Sequence, residues 1–161
     1  MNISTLLITG LLTFLPLLEL RFGIPYAYAN HIPPLAGSLY CIALNLLIAP
    51  LVFLFLNTLH SFFYRFNRYR KLFDRIVERT RKKIHAKIEK YGYLGLLLFV
   101  AIPLPVTGAY TGALAAWIFD MNPRKSSFFI GIGVIIAGIV VSIVAYFGIE
   151  ALSIFVKEVH T

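Results

Sequence analysis

The sequence predicts an all-α integral membrane protein, built as a single membrane domain over residues 1–161. It consists of two inverted repeats, each a re-entrant helical hairpin followed by a full transmembrane helix, joined by a long basic amphipathic cytoplasmic helix. The first observation behind this is composition: 59% of the 161 residues are hydrophobic and 14% are charged, with a mean hydropathy of +0.81. Soluble domains contain about 45–50% apolar and ~25% charged residues, so an ordinary water-soluble domain is excluded. The single Cys excludes an intrachain disulfide.

The second observation is two uncharged segments long enough to cross a bilayer. Residues 35–59 and 126–149 contain no Asp, Glu, Lys or Arg, and a hydrocarbon core needs about 20 apolar residues in a helix. Glycines in the second segment would allow a neighbouring helix to approach closely; the alternative is that glycine is simply frequent in membrane helices. These glycines are Gly131, Gly133, Gly138 and Gly148.

Two other apolar segments, residues 3–30 and 91–119, are predicted to enter the membrane and return. Charged residues interrupt the first segment after residue 18, and Pro103 and Pro105 each remove a backbone donor from the second. Gly108 follows where a turn favours glycine. Non-helical backbone within a membrane needs cover by protein or a wet cavity, so the hairpin tips are expected to be buried together or to line a cavity. The alternative topology has four full spans.

Residues 61–90 are predicted to form the basic amphipathic helix. Residues 65–90 hold eleven of the 15 Lys and Arg residues but three of the seven acidic ones. The positive-inside rule therefore assigns this segment to the cytoplasm and both termini to the outside. The helix either binds an anionic membrane surface or is a solvated segment that only sets the topology. The candidate surface residues are Arg68, Arg75, Arg79, Lys82 and Lys83. Nucleic acid is not expected as a partner, because the segment is tethered to the bilayer and no recognition fold is present.

The third observation is an internal repeat. Residues 10–14 (Gly-Leu-Leu-Thr-Phe) match residues 95–99 (Gly-Leu-Leu-Leu-Phe) at four of five positions. Each match is followed by a break that contains proline and then by a full span. The predicted topology gives the two halves opposite orientations, and inverted repeats with broken helices recur in secondary transporters.

Glu19 and Arg21 are the strongest candidates for a functional role, because a charge in the membrane costs about 2.5–3.5 kcal/mol on insertion scales. Three interpretations are open. Glu19 carries a proton, and Arg21 can bind a phosphate through its planar guanidinium. Alternatively, the two residues pair for structural reasons only. In the third interpretation, residues 3–18 form a short span and both charges lie at an interface.

The remaining candidates for the transport path are neutral residues near the predicted breaks. An amide within a span usually bonds a neighbouring helix, and each threonine has the alternative of bonding its own helix backbone. The candidates are Pro25, Asn45, Pro103, Pro105, Thr107, Gly108 and Thr111. The four His residues show no metal-ligand spacing, and no phosphate-binding loop or nucleophile elbow is present. We therefore expect no metal, no cofactor and no enzymatic activity.

These motifs resemble the small multi-drug export protein family of prokaryotic membrane proteins. The carrying segments are Phe14-Leu-Pro16, Glu19-Leu-Arg21, Ile24-Pro25, Ile102-Pro-Leu-Pro105-Val-Thr-Gly108 and Thr111-Gly112. The family is similar, more distantly, to the DedA (VTT) superfamily, and residues 113–129 resemble the segment after the second DedA hairpin. DedA hairpins of that kind usually carry arginines near the tip, whereas this chain has no arginine between Lys90 and Arg124.

The resemblance implies transport in a prokaryotic plasma membrane. DedA relatives are implicated in proton-dependent flipping of phospholipids and polyprenyl-phosphate carriers, and their acidic residue in the first hairpin corresponds to Glu19. The predicted function is therefore a flippase of a phosphate-bearing lipid, with membrane lipids as partners. A homodimer would help to cover the hairpins. The alternatives are an exporter of lipophilic cations that uses Glu19 as its cation site, and a non-transporting scaffold that binds membrane through residues 61–90.

Overall fold

The structure is a computed structural model that describes the backbone of residues 3–104 and 107–159. It describes the side chains there except at 61, 62, 68, 69, 82–87, 89, 90 and 150–159. Every regular element in these ranges is a helix: α1 (Ile3–Phe14), α2 (Glu19–Ala29), α3 (Pro34–Leu46), α4 (Ile48–Thr58), α5 (His60–Phe63), α6 (Asn67–Ala101), α7 (Ala109–Ile118) and α8 (Pro123–Val159). Two apolar stretches, Pro34–Thr58 and Pro123–Ile149, are long enough to cross a membrane. The structure is therefore compatible with the predicted class of all-α membrane protein.

The chain divides into two compact units, one of residues 1–45 and 136–161 and one of residues 46–135. The first unit contains α1, α2, most of α3 and the second part of α8. The second unit contains α4 to α7 and the first part of α8. Each unit thus combines one predicted hairpin with part of each predicted span.

In the first unit, α1 and α2 form a helix pair joined by a four-residue connection. At 1.5 Å per residue these helices of 12 and 11 residues are about 18 and 17 Å long, too short for a hydrocarbon core of about 30 Å. Gly23 of α2 packs tightly between two helices: a methyl group there would overlap Thr13 Oγ1 of α1 and lie 3.1 Å from Cys41 Sγ of α3. Only glycine fits this crossing without movement of its neighbours.

In the second unit, the apolar end of α6, Tyr91–Ala101, pairs with α7. The two segments are again too short to cross a bilayer. Gly112 of α7 lies against α6, because a methyl group there would stand 2.7 Å from Val100 Cγ2. The insertion of either helix pair into a membrane as a re-entrant hairpin stays a prediction.

Both helix pairs end in the same kind of turn. His31 after α2 and Asp120 after α7 have left-handed φ values of 59° and 54°, the conformation that commonly follows the last residue of a helix. Paired backbone hydrogen bonds close each turn. They run from His31 N to Tyr28 O, Ile32 N to Ala27 O, Asp120 N to Trp117 O and Met121 N to Ala116 O.

Further features recur at the spacing of 89 residues that separates His31 from Asp120. A proline opens the next long helix in each case, a glycine makes the tight crossing, and one residue of that long helix lies against the glycine. The pairs are Pro34 with Pro123, Gly23 with Gly112 and Cys41 with Ile130. These matches support an internal repeat at a spacing of 89 residues, which differs by four from the spacing of 85 between residues 10–14 and 95–99. The inverted orientation of the repeat stays a prediction.

The first long apolar stretch is interrupted at Leu47, between α3 and α4. Pro50 explains the interruption, because its ring nitrogen cannot donate to the carbonyl of Leu46 one turn earlier. The break therefore lies in the turn before Pro50, where a proline kink is expected.

The prediction of one continuous helix over residues 61–90 is wrong at its start. The chain turns after α5, and Phe66 is extended at ψ 119° before α6 begins. Tertiary contacts hold this turn: the hydroxyl of Tyr64 donates to Asp74 Oδ1 at 2.9 Å, and the ring of His60 lies 4.2 Å from that of Phe73. Close to the predicted end at residue 90 the helix is interrupted, because Gly92 is non-helical at φ 54° and ψ −125°. The element α6 therefore comprises two helices that meet at a kink.

The last long helix, α8, is longer than the predicted span of residues 126–149. It begins at Pro123, since Asn122 Oδ1 accepts hydrogen bonds from the backbone N–H groups of residues 124 and 125 at 3.1 and 3.2 Å. At the other end no Gly or Pro stops it after residue 149. Gly133 and Gly138 lie in tight contact with other helices, whereas a side chain at Gly148 would meet nothing within 4 Å. The prediction that Gly148 allows a neighbouring helix to approach closely is therefore wrong.

Gly108 corrects another expectation. Its φ of 161° is extended backbone, so no left-handed turn requires glycine there. The residue is instead buried at the start of α7, where its carbonyl accepts the N–H of Gly112 at 2.8 Å.

Candidate functional site

The tip of the first helix pair directs an acidic side chain into the protein. Leu17 and Glu19 have left-handed φ values of 87° and 47°, and such values are uncommon for residues other than glycine. Residues held in this region store about 1–3 kcal/mol each and cluster at functional sites. The turn leaves Leu17 exposed and Glu19 buried.

Glu19 and Arg21 form a buried ion pair. Glu19 Oε2 lies 3.6 Å from Arg21 Nη1, and the two side chains are 5% and 13% exposed. The protein itself covers both charges. Removing one partner of a buried pair usually costs about 3–5 kcal/mol, since the other charge is left uncompensated. Structural pairing and proton transfer both remain compatible with this geometry.

Asn45 closes the end of α1. It is fully buried, and its Nδ2 donates to the carbonyl of Thr13 at 3.4 Å. That carbonyl belongs to the last turn of α1 and has no partner within the helix. Among the described residues, Asn45 Oδ1 accepts no hydrogen bond. The predicted contact of Asn45 with a neighbouring helix is therefore present, and it lies at the first helix pair.

Pro25 lies inside α2, one turn after Arg21. Because its ring nitrogen carries no hydrogen, it cannot donate to the carbonyl of Arg21. Pro25 therefore interrupts the hydrogen-bond pattern of α2 one turn after the charged pair.

The second predicted tip lies in the other unit. Thr107 Oγ1 is 2.8 Å from the carbonyls of both Ile102 and Leu104, which is the backbone-bonding alternative for this residue. Pro103 and Thr111 are half-buried. Pro105 is outside the described residues. The proposed role of these residues in a transport path stays a prediction.

A groove of about 390 Å³ in the first unit was not predicted. Three hydroxyl groups are linked at its wall: Tyr28 Oη shares a hydrogen bond with Ser38 Oγ at 2.5 Å, and Ser38 Oγ shares one with Ser142 Oγ at 2.7 Å. None of the lining residues is charged. They are Tyr28, Pro34, Leu35, Ser38, Leu39, Ile42, Ile139, Ser142, Ile143, Tyr146 and Phe147. Isolated hydroxyls in apolar helices are visible in the sequence, but their meeting across 104 residues is not.

A second unpredicted feature is an aromatic cluster in the other unit. The ring of His60 lies 4.2 Å from Phe73, 5.1 Å from Tyr64 and 5.3 Å from Trp117. Burial lowers the pKa of His60 below its usual value, and the nearby charge of Asp74 partly opposes this shift. The cluster ties α5 and α7 to the basic part of α6.

Of the candidate membrane-surface residues, Arg75 and Arg79 are exposed on α6. The side chains of Arg68, Lys82 and Lys83 are outside the described part of the chain. The described residues contain no cluster of three or more His, Cys, Asp or Glu that could hold a metal ion.

Comparison with known proteins gives one match. Residues 19–140 match the family described as "Putative small multi-drug export protein". No curated protein and no solved structure matches the chain, so the relation to the DedA superfamily stays a prediction. The matched region includes Glu19, Arg21 and both predicted spans up to residue 140, and it covers well over half of the sequence. The chain therefore belongs to the small multi-drug export protein family.

Proposed function

We propose that this protein is a proton-coupled exporter of small lipophilic molecules, with the Glu19–Arg21 pair as its charge centre. The observation that carries the proposal is a buried ion pair, 3.6 Å apart, at the strained tip of a short helix pair. Apolar surroundings make the pair costly to maintain, and intramembrane ionisable residues are often functional. The family description supports export.

The pair can couple a proton to a conformational change. While both side chains are ionised they neutralise each other, and at 3.6 Å their attraction is about 5 kcal/mol for an effective dielectric constant of ~20. A proton on Glu19 removes this attraction and leaves the charge of Arg21 uncompensated. A change of that size is enough to invert the populations of two conformations.

The groove supplies a place for the transported molecule. Its aromatic and aliphatic walls suit a lipophilic molecule, and its hydroxyl groups supply hydrogen bonds that orient it. Tyr28 of the groove and Glu19 lie on the same helix, about 14 Å apart along its axis. A movement of α2 caused by protonation of Glu19 would therefore displace Tyr28 as well.

The test is uptake of tetraphenylphosphonium into proteoliposomes under an imposed pH gradient. Glu19→Gln should lower gradient-driven uptake at least tenfold, because glutamine cannot exchange a proton. Glu78→Gln, which removes an exposed carboxylate on α6, is the matched control and should transport normally. Wild-type uptake by Glu19→Gln would refute the assignment of the charge centre.

The groove is tested separately. Ser142→Leu fills it with an apolar side chain and should slow uptake several-fold. Ala43→Leu adds similar bulk at an exposed position of α3 outside the groove and should have no effect. Equal uptake by both variants would exclude the groove from the transport path.

A second candidate is transport of a phosphate-bearing lipid, as the DedA resemblance implies. The specific observation in its favour is that Arg21, at 13% exposure, is the more accessible member of the pair. An anionic headgroup would reach Arg21 more easily than a cation would reach Glu19. Flipping of a headgroup-labelled polyprenyl phosphate that Arg21→Ala removes, without any movement of tetraphenylphosphonium, would favour the lipid over the exporter.

The proposal includes the predicted topology, in which the two halves of the chain are inverted repeats and the basic segment is cytoplasmic. Residues 124 and 125 then lie on the cytoplasmic side. A cysteine at Arg124 in a Cys41→Ala background should resist an impermeant thiol reagent added outside intact cells. Labelling from outside would support four full spans instead.

A further inference from the structure

We propose that one face of α6 binds the anionic headgroups at a lipid bilayer surface. In the basic half of this helix, Phe73 and Val77 are half-buried and Thr80 is buried, so these residues define the side that packs on the protein. The remaining circumference is exposed. It is not uniform in charge.

The cationic face of α6 consists of Leu72, Arg75, Ile76 and Arg79. At 100° per residue these four positions fall within an arc of about 100°. All four side chains are exposed, and the two apolar ones are 57% and 40% exposed. Exposed leucine and isoleucine beside arginines are typical of helices that lie in a membrane interface.

The acidic side chains that the structure describes in this half of α6 lie off the cationic face. The exposed Asp74 and Glu78 lie about 150° and 110° around the helix from the centre of this face. By helical register, positions 68 and 83, which are Arg and Lys, fall within the arc of the cationic face. A surface that combines apolar side chains with positive charge alone is complementary to an anionic bilayer.

The backbone brings this face toward a membrane. The helix continues from its basic half into the apolar stretch Tyr91–Ala101, and the irregular Gly92 separates the two parts. A side chain at Gly92 would meet nothing within 4 Å, so its glycine serves the backbone conformation alone. The bend allows the basic half to follow the bilayer surface while the apolar half takes a different direction.

The experiment compares two positions on opposite sides of α6 in the full-length protein. An environment-sensitive thiol dye is attached to the thiol introduced by Ile76→Cys or by Glu78→Cys, each in a Cys41→Ala background. The protein is placed in nanodiscs of phosphatidylcholine alone or with about 30% phosphatidylglycerol. We expect the dye at 76 to become apolar and to be quenched by nitroxide-labelled lipid in the anionic discs, while the dye at 78 stays aqueous.

The charge requirement is tested with matched variants. Each Lys or Arg near an anionic surface strengthens binding about fivefold. Arg79→Gln should therefore weaken the lipid-bound state of the dye at 76 about fivefold, and Arg75→Gln/Arg79→Gln about 25-fold. Arg81→Gln, which removes an exposed cation from the opposite side, should leave it unchanged.

Three results would overturn the proposal. In the first, the dye at 76 stays aqueous in both kinds of disc. In the second, Arg81→Gln weakens the signal as much as Arg79→Gln, which would indicate general charge rather than a face. In the third, the signal is independent of lipid charge but changes with the number of protein copies per disc, which would assign the face to a second copy of the chain.

Discussion

Gly23→Ala tests whether the first helix pair is packed as described. The added methyl group would overlap Thr13 Oγ1 and stand 3.1 Å from Cys41 Sγ. Both neighbours are fully buried and lie on different helices, so neither can move away freely. The substitution therefore forces α2 apart from α1, or Thr13 out of its rotamer.

The expected cost follows from these contacts. Overpacking a buried site costs about 1–3 kcal/mol, and displacing Thr13 also removes its 2.8 Å hydrogen bond to the carbonyl of Thr9, worth about 1 kcal/mol. We expect a loss of about 3 kcal/mol. For a chain of this size this corresponds to roughly 6–12 °C in melting temperature.

Thr13→Ala provides a compensating variant. It removes the oxygen that the new methyl group would overlap, so Gly23→Ala/Thr13→Ala should be less destabilised than the sum of the single variants. A coupling of about 1–2 kcal/mol is expected for two side chains in direct contact. Gly148→Ala is the control, because its methyl group meets nothing within 4 Å.

The assay uses the chain's own cysteine. Cys41 is the single cysteine and is buried, so a fluorogenic maleimide in detergent reports unfolding as this thiol becomes accessible on heating. A melting temperature of Gly23→Ala within about 2 °C of wild type would refute the packing of α2 against α1. A double variant that is destabilised by the full sum of the two single variants would refute the identity of the contact.

Three further predictions concern stability. Asn45→Ala should cost about 1–3 kcal/mol in the same melting assay, because a buried carbonyl at the end of α1 loses its donor, and the exposed Asn57→Ala should melt as wild type; equal melting of both would contradict the capping role. Gly92→Ala should destabilise the protein by about 1–3 kcal/mol, because residue 92 has a φ of 54°. Gly148→Ala should be neutral or stabilising through helix propensity. A Gly92→Ala variant as stable as wild type would rule out the irregular backbone at this position. Because the pKa of His60 is lowered in the folded protein, the unfolded chain takes up a proton more readily than the folded one. The contribution of His60 to stability is therefore present above its ordinary pKa of about 6.5 and is lost as the pH falls below that value. His60→Phe should flatten the fall in melting temperature between pH 7.5 and 5.5, and an unchanged pH profile would contradict this.

Segment lengths and the distribution of charge predicted most of the helical organisation. The uncharged segments predicted both long apolar stretches. The prolines and charges predicted the two short helix pairs to within a few residues. The beginning of the basic helix was wrong, because the turn after α5 depends on contacts of Tyr64 and His60 with α6. Such contacts are set by tertiary structure and leave no local signal.

The candidate site was predicted only in part. The charges of Glu19 and Arg21 were visible as an anomaly in an apolar region, but their burial and separation were not. The crossing at Gly23 joins three helices, so sequence periodicity on one helix could not identify it. The matching turns at His31 and Asp120 were hidden because neither residue is the glycine usual after a helix.

The most direct test of the central proposal is the pH dependence of exchange without a gradient. Proteoliposomes with equal pH on both sides are loaded with unlabelled tetraphenylphosphonium, and the entry of labelled compound is followed between pH 5.5 and 8.5. The proposal predicts an exchange rate that changes with pH in the wild type and in Glu78→Gln, and a rate independent of pH in Glu19→Gln. A Glu19→Gln variant that keeps the wild-type pH profile would contradict the role of this carboxylate as the proton carrier.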